Sequence, residues 1–276
     1  MCLIVFDWQP DARRDPRAGD GRALLTLAAN RDEFFRRDAE PMHWWNDAPG
    51  VLAGRDLTGG GTWLGVSRDG RFAALTNYRA PSEMRPDAPT RGTLVSAFLA
   101  GEREAPLDYL RRVAEQGHRY NGFNLLCGDF ARRELGWYGN RADAPPALLE
   151  AGVHGLSNSL LNTPWPKLVA QRQALADLIH AGEHPALDVL IDTLRDPRIA
   201  DDEHLPSTGI SIERERVLSA AFIETPEYGT RSTTALRVLP TARGLSLAIK
   251  ERSDDDGSHR VVRPGNVERA FSFEIA

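Results

Sequence analysis

Cys2 is the first residue in the chain that suggests chemistry, because it heads the apolar run CLIVF directly after Met1. Methionine aminopeptidase is expected to remove Met1 before so small a residue, which leaves a thiol and an α-amino group on one residue. A nucleophile beside a base suits acyl transfer, and an α-amine has a pKa of about 8. Cys2 is therefore a candidate N-terminal nucleophile. The competing interpretation is a buried strand residue, since free cysteine is often buried.

A run of four polar residues follows the next apolar stretch: Asn30, Arg31, Asp32 and Glu33 in LAANRDEFF. Such residues often end a strand or cap a helix. Four in succession also predict a shared pocket that all of them face. Asp32 is suited to accept a hydrogen bond from a cysteine amine or thiol, and Arg31 to hold a thiolate or a substrate carboxylate.

Two asparagines and a late arginine extend this candidate site. Asn77 ends the run ALTN, and Asn158 lies in GLSNSLLN. Amides at strand ends often form turns, but a side-chain amide is also a standard donor to an oxyanion. Arg231 stands among hydroxyl residues at the head of a strand, where pairing with a carboxylate is the simpler interpretation. Trp63 follows a glycine turn and is expected in the core.

Short apolar runs separated by turn residues predict an antiparallel sheet in the first third of the chain. Strands are expected over residues 2–8, 23–30, 50–56, 62–67 and 71–78. The Asp-Gly pair in SRDGR predicts that the last two of these strands form a hairpin.

The rest of the chain alternates helical and strand patterns. Helices are expected over 91–101, 106–117, 167–182 and 185–196, and strands over 122–130, 132–140, 227–240, 243–252 and 270–276. Residues 196–216 are expected to form a polar, mobile loop, and SDDDGSH a solvated turn. With no repeat or linker, the pattern predicts one domain over 1–276 with a layered α+β fold.

Composition narrows the classes of function. The chain has 276 residues, 41% hydrophobic and 26% charged, with a net charge of −5, so it has no basic surface for nucleic acid. No apolar run is long enough for a membrane span, and no signal peptide is expected. Two cysteines do not make a disulfide framework. We therefore expect a cytoplasmic protein with Cys127 in its core; the sequence sets no oligomeric state.

Metal and phosphate sites are not expected. His180 and His184 have helical spacing, but Gly182 and Pro185 interrupt the helix between and after them. The glycines of DLTGGGTWLG precede no helix with a lysine, as a phosphate-binding loop would require.

Together, the motifs MCLIVF, ANRDEFF, LAGRD, GGTWLGV, FAALTNYR, RGTLV, GLSNSLLNTPWPK and YGTRSTTAL resemble those of the NRDE-domain family. This family, also called the transport and Golgi organisation family, is matched from residue 2 to about residue 238. The resemblance implies a single NRDE domain with the fold of the N-terminal nucleophile hydrolases. That fold is a four-layer αββα sandwich.

Among those hydrolases, the pattern is most similar to choloylglycine hydrolases and penicillin V acylases. The resemblance implies Cys2 as the catalytic nucleophile and Asp32 as the aspartate of an Arg-x-x-Asp motif. Ala29 stands where that motif has its arginine, and Arg31 is a neighbouring substitute. In these hydrolases the arginine helps to stabilise the thiolate, so catalytic activity here depends on whether Arg31 can take its place.

The resemblance also assigns the later residues of the site. Asn77, followed by Tyr78, matches the strand-end asparagine and aromatic; Asn158 matches a second asparagine, and Arg231 a late arginine. Further pocket or ligand-binding residues are expected to be Asn30, Arg31, Glu33, Trp63 and Tyr78.

The implied activity is hydrolysis of a C–N amide bond in a small molecule, with no cofactor required. The alternative is a non-enzymatic protein of this family that binds and carries haem in the same pocket. Cys2 or His43 would then be the axial ligand, and haem would be held noncovalently because no Cys-x-x-Cys-His motif exists. A third interpretation is a catalytically inactive hydrolase retained as an interaction scaffold.

Overall fold

Two antiparallel β-sheets form the centre of the protein. The computed structural model describes residues 2–13, 22–181, 184–253 and 267–275. The six-stranded sheet has the order β10 (Gly152–Leu156), β1 (Cys2–Trp8), β2 (Leu25–Phe34), β11 (Tyr228–Pro240), β12 (Leu245–Ser253) and β13 (Val267–Ile275). The seven-stranded sheet runs through β3 (Ala39–Trp44), β4 (Val51–Asp56), β5 (Leu64–Ser67), β6 (Arg71–Asn77), β7 (Phe123–Asp129), β8 (Glu134–Gly139) and β9 (Ala147–Leu148).

Helices cover the outer face of each sheet. Helices α1 (Gly92–Ala100) and α2 (Pro106–Glu115) pack on the seven-stranded sheet, and α3 (Pro166–His180) and α4 (Leu187–Thr193) on the six-stranded sheet. A further helix, α5 (Ile212–Leu218), precedes β11. The central core lies between the sheets, and a smaller core lies under each helical layer. The predicted four-layer αββα sandwich is confirmed.

Strand β1 shows why a continuous apolar run stands at this position. Ile4, Phe6 and Trp8 face the seven-stranded sheet, whereas Leu3 and Val5 face the helical layer of α3 and α4. Successive side chains of a strand point to opposite faces, so a strand that is buried on both faces needs apolar residues at nearly every position. Cys2 has the same parity as Ile4 and therefore points between the two sheets.

Most of the predicted elements are confirmed, including the β5–β6 hairpin, in which Gly70 has a φ of +86°. The short strands β9 and β10 were not among the predicted strands, and neither was β3. It contains Pro41, which lacks the N–H that a central strand must donate, but β3 lies at a sheet edge where this is tolerated.

The prediction of a polar, mobile loop over 196–216 is wrong for its last part. The first turns of α5 belong to this segment, and Glu215 within it is only 2% exposed. Arg79 donates to Glu215 Oε2 at 2.6 Å, and the Thr208 hydroxyl donates to Oε1 at 2.5 Å. The pattern of apolar residues cannot reveal a charged side chain that is buried by pairing with a residue distant in sequence, so this helix was not predicted. The SDDDGSH turn, from Asp254 onward, lies outside the described residues.

None of the helices within the described ranges has the length and apolar character needed to cross a membrane.

Candidate active site

Strand β2 does not end before the Asn-Arg-Asp-Glu run but continues through it to Phe34. The four polar side chains therefore alternate between the two faces of the sheet instead of sharing one pocket, as was predicted. Arg31 and Glu33 lie on the side of the cavity between the sheets. Asn30 lies on the helical side, where it donates to the carbonyl oxygens of Leu194 at 3.0 Å and Ala221 at 2.7 Å.

A row of four side chains crosses the six-stranded sheet next to this cavity. Cys2 on β1 is opposite Arg31 on β2, Arg31 is opposite Ser232 on β11, and Ser232 is opposite Ser253 on β12. All four line the cavity. Ala29 is two residues before Arg31 and so shares its face. The arginine is thus displaced along the strand without leaving the side on which the thiol lies.

A β-bulge in β11 gives the other half of the site. Thr230 is opposite Asp32 and Ser232 is opposite Arg31, so Arg231 is one residue more than β2 can pair. Bulges re-aim side chains and are common beside active sites. Here the bulge returns Thr230 to the helical side, where its hydroxyl donates to Asp32 Oδ1 at 2.7 Å. Arg231 lines the cavity and donates to the backbone carbonyl of Arg37.

The cavity has a volume of about 330 Å³ and lies between the sheets near the beginning of α1. A glycine turn allows the chain to pass close to that helix: a Cβ on Gly61 would lie 2.3 Å from the carbonyl carbon of Gly92. Trp63, which follows this turn, is half-buried and lines the cavity. Ten charged residues border the cavity: Arg31, Asp32, Glu33, Arg37, Glu40, Arg55, Asp56, Arg91, Arg231 and Glu251.

Cys2 is 7% exposed, and burial raises the pKa of its thiol. Arg31 and a hydrogen bond with the backbone of Asp32 oppose that shift by favouring the thiolate. Because burial is the larger effect, the thiol holds its proton at neutral pH. A reaction at this sulfur therefore needs a base close to it.

Asp32 borders the cavity, and the charge of Lys167, in the first turn of α3, acts on it from the helical side of the sheet. Asp32 is 1% exposed, and burial raises its pKa while the charge of Lys167 lowers it. Lys167 is 5% exposed, and no described residue accepts a hydrogen bond from its Nζ. Burial lowers the pKa of Lys167 to about 8, although the charges of Asp32 and Cys2 raise it. The carboxylate thus has a buried counter-charge on the side away from the cavity.

This lowered pKa makes the stability of the protein depend on pH. Between about pH 8 and 10, unfolded Lys167 binds a proton that the folded protein has released, since its ordinary pKa is 10.5. The free energy of unfolding of the wild type should therefore rise relative to Lys167→Met, by about 1 kcal/mol per pH unit. Urea denaturation of both proteins across this range measures the difference.

Lys250→Met is the matched control, because the sequence has lysine only at these two positions. Lys250 forms ion pairs with Asp188 and Glu268, which raise its pKa. Its contribution should therefore stay constant up to about pH 10 and decline only above it. Parallel curves for the wild type and Lys167→Met would contradict the assignment to Lys167.

The structure places the two predicted asparagines differently. Asn77 lines the cavity, at the end of β6. Asn158 does not border it: its side chain is 1% exposed and donates to the backbone carbonyl of Asn77 at 3.0 Å. Asn158 therefore fixes the end of β6. Tyr78 also lies outside the cavity lining and donates its backbone N–H to Gly122.

The site does not suit haem. Haem needs an apolar slot and an axial ligand, whereas charged and polar side chains dominate this lining. His43 is not among the residues that border the cavity; its Nδ1 lies 2.9 Å from the carbonyl oxygen of Pro41. Cys2 does border it, but among polar neighbours.

Sequence reasoning missed three charged residues in or next to the site: Arg91, Lys167 and Glu251. Arg91 and Glu251 line the cavity, and Glu251 is 3% exposed with its Oε1 accepting from the backbone N–H of Met42 at 2.7 Å. One signal was available for Lys167, because lysine is rare in a chain whose positive charge is almost entirely arginine. Nothing in the local patterns distinguishes Arg91 or Glu251 from the many surface charges.

Known proteins are similar in sequence to most of this chain. Residues 1–252 match the family model described as Transport and Golgi organisation 2. The chain is 39% identical to the Transport and Golgi organization protein 2 homolog of Bos taurus, over 86% of this chain and 88% of that protein. It is 37% identical to the Homo sapiens homolog, over 95% and 97%. Among solved structures, the Caenorhabditis elegans N-acylethanolamine-hydrolyzing acid amidase ortholog is similar, with a TM-score of 0.45 and 10% identity over 86% of this chain and 92% of that one.

Proposed function

The chain belongs to the Transport and Golgi organisation 2 family, and we propose that it is a cysteine-dependent N-terminal nucleophile amidohydrolase. The observation that carries the proposal is the position of Cys2: it lines a polar cavity directly opposite Arg31, and its thiol has a hydrogen bond with the backbone of Asp32. A strand residue with only a packing role would face apolar neighbours, as Ile4 does two residues later.

Removal of Met1 gives the site its base. The α-amine of the new first residue then takes the proton of the Cys2 thiol, directly or through a water molecule, and Sγ attacks the amide carbonyl carbon. The C–N bond breaks as the leaving nitrogen receives that proton, which leaves a thioester on Sγ. Water then attacks the thioester, releases the carboxylic acid and restores the thiol.

Some of the other residues stabilise charges in the reaction, and the rest position those residues. Arg31 stabilises the thiolate, and Asp32 orients the α-amine with Lys167 as its counter-charge. The amide of Asn77 and a backbone N–H are assigned to the oxyanion; loss of one such donor typically costs about 100-fold in rate. Asn158 positions Asn77, and Arg231 holds the bulge beside the thiol.

The direct test is peptide mapping by mass spectrometry after limited alkylation near neutral pH. We expect Met1 to be absent and Cys2 to react at least about 10-fold faster than free cysteine, with a rate that follows an amine pKa of about 8. The same protein from cells in which methionine aminopeptidase is inhibited is the matched control. Retained Met1 in the untreated protein, or equal rates in the two preparations, would remove the base from the mechanism.

A further inference from the structure

Strands β11 and β12 give the cavity a polar wall that the proposed reaction does not use. Ser232 is opposite Ser253, and two residues further along the sheet Thr234 is opposite Glu251. All four side chains point between the two sheets and are buried. Ser232, Ser253 and Glu251 line the cavity. We call these four residues the polar wall.

Glu251 is the one carboxylate of the polar wall, and most of its capacity for hydrogen bonds is unused. It is 3% exposed, and its Oε1 accepts from the backbone N–H of Met42 at 2.7 Å. No described residue donates to its Oε2, although a carboxylate can accept about four hydrogen bonds. The neighbouring hydroxyl of Thr234 is also buried without a hydrogen-bond partner among the described residues.

The charge of Glu251 is not matched by an ion pair with any lysine or arginine in the described part of the chain. Arg269 is opposite Glu251 on β13, but its Nη1 donates to the carbonyl oxygen of Met42 at 3.2 Å instead. Burial raises the pKa of the Glu251 carboxyl, and its hydrogen bond and the charges of Arg31 and Arg269 only partly oppose that effect. A buried carboxylate is normally compensated by a paired cation. This position is therefore suited to a ligand that brings a cation.

The pairing of the strands gives the distance from Glu251 to the thiol. Glu251 is three strands away from Cys2 and two residues away from the row that contains it, so their Cβ atoms are roughly 16 Å apart. After both side chains and one hydrogen bond are allowed for, roughly 10 Å remains. An extended acyl chain of about eight carbons has this length.

We infer that Glu251 binds an ammonium group at the end of the substrate's acyl chain, so that the preferred substrates are amides of ω-amino acids. This inference rests on the proposed hydrolysis at Cys2. An ammonium has three N–H donors. The hydroxyl of Ser232 is a second acceptor, because Ser232 and Glu251 are diagonal neighbours on one face, with Cβ atoms about 7–8 Å apart.

The test compares 8-aminooctanamide with nonanamide, which have the same length and end in an ammonium and a methyl group, respectively. Both release of ammonia and protection of Cys2 from alkylation are measured. For the wild type we expect the ammonium probe to be favoured at least about 10-fold in either readout. Glu251→Gln should bring the ratio to about one or below, mainly through KM, and it keeps an oxygen that can accept from Met42. Glu251→Asp should keep part of the preference because it keeps the charge.

Glu40→Gln is the matched control, because it makes the same substitution at another carboxylate that borders the cavity. The Glu40 side chain is 39% exposed, so water already compensates its charge, and the preference should stay unchanged. Equal protection by the two probes, no protection by either at millimolar concentration, an unchanged ratio in Glu251→Gln, or an equal loss in Glu40→Gln would overturn the inference. Protection by 8-aminooctanamide without release of ammonia would uphold Glu251 and count against the proposed function alone.

Discussion

Replacement of Cys2 by alanine should lower the rate of amide hydrolysis by roughly 10³-fold or more, because it removes the proposed nucleophile while the α-amine and the cavity remain. The side chain is small, and the rest of β1 is held by apolar residues on both faces. The fold should therefore survive. Turnover of an N-acyl amide probe, measured for both proteins at equal folded concentration, gives the result.

Cys127→Ala is the control for this variant. Cys127 is the only other cysteine, is 0% exposed, and lies in the core under α1 and α2, as the sequence predicted. Its removal should leave turnover unchanged and reduce stability slightly. Full turnover by Cys2→Ala would show that the reaction does not use the thiol.

Arg79→Met should destabilise the protein strongly, with a loss of about 3–5 kcal/mol in the free energy of unfolding. The side chains of Arg79 and Glu215 are 5% and 3% exposed, and their ion pair is 2.6 Å long. Removal of the cation leaves the carboxylate buried without its counter-charge. Urea denaturation measures the loss.

The double variant Arg79→Met, Glu215→Leu distinguishes the cost of leaving one buried charge unpaired from the cost of losing the packing of the two side chains. Removing both charges should recover most of the stability, since a buried pair can be replaced by apolar side chains at little cost. Arg111→Met is the surface control: Arg111 pairs with Asp108 at 3.2 Å, both are more than half exposed, and the change should cost less than about 1 kcal/mol. An equally small effect of Arg79→Met would contradict the role given to the buried pair.

The layers of the fold could be predicted from the sequence because they depend on local patterns. The run CLIVFDW has too many apolar residues for a one-sided strand, and β1 is buried on both faces. The spacing of Leu94, Val95, Phe98 and Leu99 predicts the face of α1 that packs on the sheet. Strand β3 and helix α5 were missed because an edge strand and a helix held by a buried charge lack a clear apolar period.

The site could be predicted only in part, since neighbours in a sheet are distant in sequence. The residue types of Cys2, Arg31 and Asp32 suggested their chemistry, but the sequence could not show that β2 continues through Arg31 and Asp32 and places Asn30 on the face away from the cavity. That difference depends on the pairing of β2 with β11. The positions of Lys167 and Arg91 likewise depend on how α3 and α1 dock onto the sheets.

The pairing of β2 with β11 limits when the proposed nucleophile can become reactive during synthesis of the chain. The hydrogen bond between Thr230 and Asp32 joins residues 198 positions apart, so the ribosome must translate most of the chain before β11 can complete the sheet. Contacts of such long range form slowly and late. Strands β1 and β2 leave the ribosome first. Both of their apolar faces stay uncovered until the second sheet and helices α3 and α4 have been made. A nascent chain thus carries Cys2 without the sheet and cavity that the proposed reaction requires.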